Sequence, residues 1–143
     1  MLKGIPNILS PELLKRLCEM GHSDQLVIGD GNFPAESVGK DCYVIRMDGH
    51  TVPEILDAIL QVFPLDQYAE HPVSIMEKVP GDTVETPIWD EFEKIVSKYD
   101  ERENLIGQIE RFAFYEKAKK SYLIIASSES ALYGNIMLQK GVI

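Results

Sequence analysis

The sequence predicts a layered α/β fold. Three observations carry that expectation: short apolar runs of strand length, apolar stripes of helical period between them, and turn residues where one gives way to the other. A chain of 143 residues has the size of one domain, spanning 1–143, and it shows no internal repeat, linker or low-complexity tract. Alternating helices and buried strands imply a largely parallel or mixed sheet flanked by helices.

The elements follow in order. Ser10-Pro11-Glu12 is a helix start, with Ser as N-cap and Pro in the first turn. Leu13, Leu14 and Leu17 mark its apolar face, and Gly21 is expected to stop it. Gln25–Gly29 reads as a buried strand, and Asp30–Ala35 as a loop shaped by Gly31 and Pro34. Tyr43–Arg46 is a second strand, ended by the Asp48-Gly49 turn. A helix follows from about Pro53, bounded by Thr51 or Val52, with Ile55, Leu56, Ile59, Leu60 and Phe63 in helical period and Pro64 closing it. Val73–Val79 is the third strand, and Pro80-Gly81-Asp82 a turn. Thr86-Pro87 opens a helix with Ile88, Phe92, Ile95 and Val96 on one face. Ile109–Arg111 suggests a brief strand and Ala113–Lys120 a short helix. Tyr122–Ala126 and Ile136–Leu138 complete the sheet.

Composition narrows the function. A formal net charge of −9 disfavours nucleic acid and anionic membrane as partners. The one basic run, Lys117 with Lys119-Lys120, falls where a helix C-terminus welcomes cations. No apolar run approaches the roughly 20 residues of a membrane span, and the first residues lack a signal-like apolar stretch. A cytoplasmic protein is the expectation. Cys18 and Cys42 are expected to be small buried hydrophobes rather than a redox pair. His22, His50 and His71 lack metal-ligand spacing, and no metal is expected. No phosphate-binding glycine loop and no Gly-x-Ser-x-Gly elbow is present.

What remains is a polar set that core-building does not require. It comprises Gly21-His22, Asp30 with Asn32-Phe33-Pro34, Arg111-Phe112 and Tyr133-Gly134-Asn135, each where an element gives way to a loop. Together they supply a group able to exchange protons near neutrality, a carboxylate, a fixed cation, a phenol and an amide. That inventory suits a small polyhydroxylated ligand and proton transfer upon it. Each cluster also has a structural reading: a surface histidine, an Asx-turn at Asp30, an ion pair of Arg111 with Glu110 or Glu116, and a glycine turn at Gly134. A geometric tension is visible as well. A five-residue strand between His22 and Asp30 spans roughly 16 Å. Either the strand is shorter, or the loops fold back, or a neighbouring subunit completes the site.

In this order the clusters resemble the small sugar mutarotases, the RbsD/FucU family. The resemblance covers essentially the whole chain, from Leu2-Lys3-Gly4-Ile5-Pro6 and Leu9–Leu14, through Met20-Gly21-His22, Asp30–Ala35 and Arg46–Gly49, to Arg111–Glu116, Tyr133-Gly134-Asn135 and Lys140-Gly141-Val142. Arg111, where the ribose-acting branch has histidine, and Gly134, commonly alanine there, are similar to the fucose-acting branch, as is Thr86-Pro87-Ile88-Trp89. Gly31 and Ser127-Ser128-Glu129 depart from the family pattern. The resemblance implies exchange of the α and β anomers of L-fucose without a cofactor, in a ring-shaped homodecamer; a D-ribose pyranase-type mutarotase and a non-catalytic sugar-binding protein on the same scaffold are the alternatives. It implies His22 as proton donor, and Asp30, Arg111, Tyr133, Gly134 and Asn135 as substrate-binding residues.

Overall fold

The computed structural model describes all residues, Met1–Ile143. Helix α1 (Pro11–Glu19) begins at Ser10, whose Oγ accepts the Leu13 N–H at 3.2 Å. Such a cap contributes about 1 kcal/mol. The helix ends because Met20 turns extended, and Lys140 Nζ donates to the Leu17 and Met20 carbonyls at 2.6 Å each. Gly21 is not the left-handed terminator the sequence predicts. Its N–H is held by Asp24 Oδ2 at 2.7 Å, and the positive φ falls on Ser23.

Strand β1 (Gln25–Gly29) is followed by a short helix α2 (Ala35–Val38), strand β2 (Tyr43–Met47) and helix α3 (Val52–Leu60). A reciprocal capping box starts α3: Thr51 Oγ1 accepts the Glu54 N–H, and Glu54 Oε2 accepts the Thr51 N–H. Strand β3 (Val73–Met76), helix α4 (Pro87–Tyr99), strand β4 (Ile106–Ile109), helix α5 (Arg111–Ala118), and strands β5 (Leu123–Ser127) and β6 (Ile136–Gln139) complete the chain.

The six strands form one sheet in the order β2-β5-β1-β6-β3-β4. β1, β2 and β5 pair in parallel, as do β3 and β4, while β6 lies antiparallel to both β1 and β3. Five strands therefore share one direction and β6 alone opposes them. Alternation along each strand divides the core. Leu26, Ile28, Leu123, Ile125, Ile136 and Leu138 face the larger cluster, which also takes in Leu13 and Leu17 of α1, the inner face of α3, and Ile88, Phe92 and Val96 of α4. Val27, Ile124 and Met137 face the smaller cluster, with Ala35 of α2 and Phe114 and Ala118 of α5. The result is three layers, helix on sheet on helix.

Several expectations shift. Ala35, predicted as the last residue of a loop, begins a short helix that the sequence does not predict. β3 stops at Met76, three residues before the predicted end. The strand predicted at 109–111 lies earlier, and Arg111 is instead the first residue of α5. Glu110 explains the difference: its carboxylate accepts the Phe112 and Ala113 N–H groups and starts the helix there. Neither cysteine is a buried hydrophobe. Cys18 is exposed, because it follows Leu17 by the roughly 100° of one helical step and leaves the apolar face. Cys42 is half-buried, its thiol 3.5 Å from the Lys119 carbonyl.

Candidate active site

Strand direction decides which polar residues meet. The parallel strands β1, β3 and β4 end on one edge of the sheet, and β6 begins there. Asp30 leaves β1, the Glu77–Glu85 loop leaves β3, Arg111 follows β4, and Asn135 leads into β6. Open α/β sheets gather ligands beyond the carboxyl ends of their strands. A cavity of about 220 Å³ lies at this edge, lined by Asp30, Phe33, Arg111, Tyr115, Tyr133 and Asn135 among others. That is below the roughly 300–1,000 Å³ of drug-sized pockets and suits a smaller ligand. A larger groove of about 520 Å³ beside α1 is lined by Met1, Leu2, Ile5, Leu9, Leu14 and uncharged neighbours. It offers no ionisable side chain for proton transfer, so the smaller cavity is the candidate.

Asp30 is 7% exposed. Its N–H donates to Asn135 Oδ1 at 2.8 Å, and its Oδ1 accepts the Asn32 N–H at 2.9 Å. The predicted Asx-turn is present, and the same carboxylate lines the cavity. Burial pushes its pKa above the usual carboxylate value, against the opposing pull of hydrogen bonds from Asn32, Phe33, Gly134 and Asn135. With Oδ1 of Asn135 engaged, the amide NH₂ is left to donate.

Arg111 stands at the N-terminus of α5, where the helix dipole disfavours a cation. Neither acidic neighbour pairs with it: Glu110 caps the helix and Glu116 pairs with Lys119 at 2.6 Å. Its guanidinium lies 5.8 Å from the centre of the Tyr115 ring. Helix stability does not account for this placement, and Arg111 lines the cavity.

Tyr133 adopts a φ of 58°, an unusual conformation for a bulky residue. Trp89 Nε1 donates to its carbonyl at 3.0 Å. Gly134 does not itself line the cavity. A Cβ there would lie 3.0 Å from both the Ala131 carbonyl oxygen and Glu129 Cγ, so its close approach is to its own chain. Gly31 is similarly hemmed, with the Glu129 carbonyl 2.9 Å from where its Cβ would be. The Ser127-Ser128-Glu129 segment is an anchor for this loop. Ser127 Oγ donates to the Gly29 carbonyl, Ser128 Oγ accepts the Gly49 N–H, and the buried Glu129 accepts the Val52 and Ala131 N–H groups.

His22 lies at the opposite edge, where β6 ends and β1 begins. It stands apart from the other predicted site residues, as the length of β1 requires. Its Nε2 is 3.1 Å from Oδ1 of Asp66, and its ring centre is 5.5 Å from that of Tyr68. Asp66 is 2% exposed. Burial works against its charge, but hydrogen bonds from Tyr68 N–H, Gln139 and His22 prevail and hold its pKa below the usual value. An ionised carboxylate only accepts, so Nε2 carries the proton and Nδ1 is left for chemistry. Asp66 was not legible in sequence, being one acidic residue among 23 with no motif about it. No three His, Cys, Asp or Glu side chains converge as a metal site, and no helix is long and apolar enough to cross a membrane.

Comparison with known proteins places this architecture. The chain belongs to the RbsD/FucU family: the model described as the RbsD / FucU transport protein family matches residues 3–143. A fucose mutarotase from Mus musculus is 47% identical over 146 residues, covering 99% of this chain and 95% of that one. Among solved structures, FucU from Bifidobacterium longum is 65% identical with a TM-score of 0.97, covering 99% of each chain. The fucose mutarotase from Streptococcus pneumoniae in complex with L-fucose is 42% identical, with a TM-score of 0.93 and 99% of each chain covered.

Proposed function

We propose that the protein is an L-fucose mutarotase, an isomerase that interconverts the α and β anomers by opening and reclosing the sugar ring. The observation that carries this reading is the convergence of a buried carboxylate, an unpaired guanidinium, a phenol and an amide on one monosaccharide-sized cavity. Its relatives named as fucose mutarotases supply the sugar.

Ring opening removes the proton of the anomeric hydroxyl and delivers one to the ring oxygen as the C1–O5 bond breaks. Closure on the other face reverses both transfers. His22 takes the anomeric hydroxyl's proton at Nδ1 and donates it to the ring oxygen, ending in the tautomer in which it began, and Asp66, which accepts the Nε2 proton, keeps Nδ1 free for this exchange. Arg111 stabilises the oxygen that loses its proton. Asp30 and the Asn135 amide hold sugar hydroxyls, with Tyr133 lining the wall and Gly134 letting the loop between them pack closely on itself. A positioned acid–base group contributes about 10²–10⁴-fold.

His22 reaches the cavity from a second copy of the chain. Exposed apolar side chains flank both half-sites: Tyr68 beside His22, and Phe112 and Leu132 beside the Asp30 cavity. Joining two different faces is a head-to-tail contact, which makes a ring where the rotation between copies closes. Ten subunits is the number the family resemblance implies. The free cysteines suit the cytoplasm.

Saturation-transfer NMR on the anomeric protons of L-fucose and D-ribose tests the reading. Micromolar protein should speed α–β exchange of L-fucose over buffer. Unchanged exchange rejects the mutarotase and leaves a sugar-binding protein.

A further inference from the structure

We infer that Asp82 is a positioning residue that sets the hydrogen-bonding direction of the Tyr133 phenol and thereby the sugar affinity of the cavity. The inference rests on the reading of this cavity as the L-fucose site.

Asp82 belongs to the loop between β3 and α4, and both Asp82 and Val79 of this loop line the cavity. The Tyr133 hydroxyl bridges the same two residues. It donates its proton to Asp82 Oδ2 at 2.5 Å and accepts the Val79 N–H at 3.2 Å. A phenol has one proton to donate. With that proton committed, Tyr133 offers a sugar only a lone pair, so it accepts from a hydroxyl rather than donating to one. The direction is enforced by charge. Hydrogen bonds from Tyr133 and then from the Val84 N–H hold the Asp82 carboxyl below its usual pKa, and Asp82 in turn raises that of the phenol.

Both oxygens of Asp82 hold donors of the protein, which ties the carboxylate to its own loop and to Tyr133. Oδ1 accepts the Val84 N–H at 2.9 Å, closing an Asx-turn, while Oδ2 takes the phenol. Tyr133 is then gripped twice: Trp89 Nε1 holds its carbonyl in the left-handed conformation, and the loop holds its hydroxyl. A side chain fixed at both ends meets a ligand with little freedom left to lose.

Asn at position 82 separates direction from loop folding. An amide has one acceptor oxygen. With that oxygen kept on the Val84 N–H, the NH₂ faces Tyr133 and turns the phenol proton toward the cavity. The experiment compares wild type, Asp82→Asn, Asp82→Ala, Tyr133→Phe and the Asp82→Ala/Tyr133→Phe double variant. It measures L-fucose anomer exchange against sugar concentration, with thermal melting as the folding control. Asp82→Asn should melt as wild type does, yet raise KM about tenfold with kcat within about twofold. Asp82→Ala should raise KM at least as much, and the double variant should be no worse than Tyr133→Phe. A wild-type KM in Asp82→Asn, or an effect of Asp82→Ala that persists in full without the phenol, overturns the inference while an active wild type leaves the mutarotase standing. If wild type fails to speed exchange, the mutarotase reading falls. Calorimetric L-fucose affinities of wild type and Asp82→Asn then decide the inference, equal affinities or no binding overturning it.

Discussion

Nε2 of His22 meets Oδ1 of Asp66 at 3.1 Å, joining a half-exposed imidazole to a carboxylate sealed from solvent. The carboxylate is itself fixed, by the Tyr68 N–H at 2.9 Å and Gln139 Nε2 at 2.8 Å. The ring therefore cannot turn over without breaking a charge-assisted bond.

Asp66→Asn should lower kcat for L-fucose exchange by about tenfold or more, part of the 10²–10⁴ a positioned acid–base group supplies. KM should hold, since Asp66 does not line the Asp30 cavity. The same variant tests acid stability. The folded pKa of Asp66 is depressed, so its ionisation stabilises the protein above the usual carboxylate range, and that contribution is lost as pH falls through the folded value. Melting curves should show a smaller acid-side loss for Asp66→Asn than for wild type. An unchanged kcat would remove Asp66 from the mechanism.

His22→Ala should abolish most of the acceleration with little change in melting, because the side chain is half-exposed and outside the core. Mixed with Arg111→Ala after joint refolding, it should regain activity, since some head-to-tail contacts then pair an intact His22 with an intact Arg111. Random mixing in equal amounts restores about a quarter of the sites. No recovery, or a light-scattering mass of 16.1 kDa, speaks against a shared site.

Arg111→His should shift the ratio of L-fucose to D-ribose exchange toward ribose, at low overall activity. The guanidinium is planar and permanently charged, whereas imidazole is shorter and titrates. Losing a charge-assisted hydrogen bond costs roughly 10–150-fold. The ratio matters because a stability loss would lower both rates alike. A constant ratio would move selectivity to the Phe112–Tyr115 segment or the loop at Gly31.

Asp30→Asn should weaken sugar binding and flatten the dependence of stability on pH. The folded pKa of Asp30 is raised by burial, so the native state binds its proton more tightly than the unfolded chain does. Stability then declines as pH rises from the ordinary carboxylate range through the raised value. Asn retains an oxygen for the Asn32 N–H and escapes that decline. Denaturant titrations across this range check it, and a variant whose stability falls with pH as steeply as wild type's would contradict the assignment.

The sequence by itself determined most of the elements and the polar groups worth watching. Ser10-Pro11, the helical period of Ile55 to Leu60 and the buried run before Ala126 are local signals, read from spacing and caps within a few residues. The clusters at His22, Asp30, Arg111 and Tyr133–Asn135 stood out because no local packing rule asks for them. Only the tertiary structure decided which of them meet. Strand order and direction are non-local, and the single reversed strand β6 carries Asn135 to Asp30 while leaving His22 at the far edge with Asp66. The pairings of Asp66 with His22 and of Asp82 with Tyr133 span 44 and 51 positions. Contacts at that separation follow from how the sheet is assembled, which the spacing of residues along the chain does not encode.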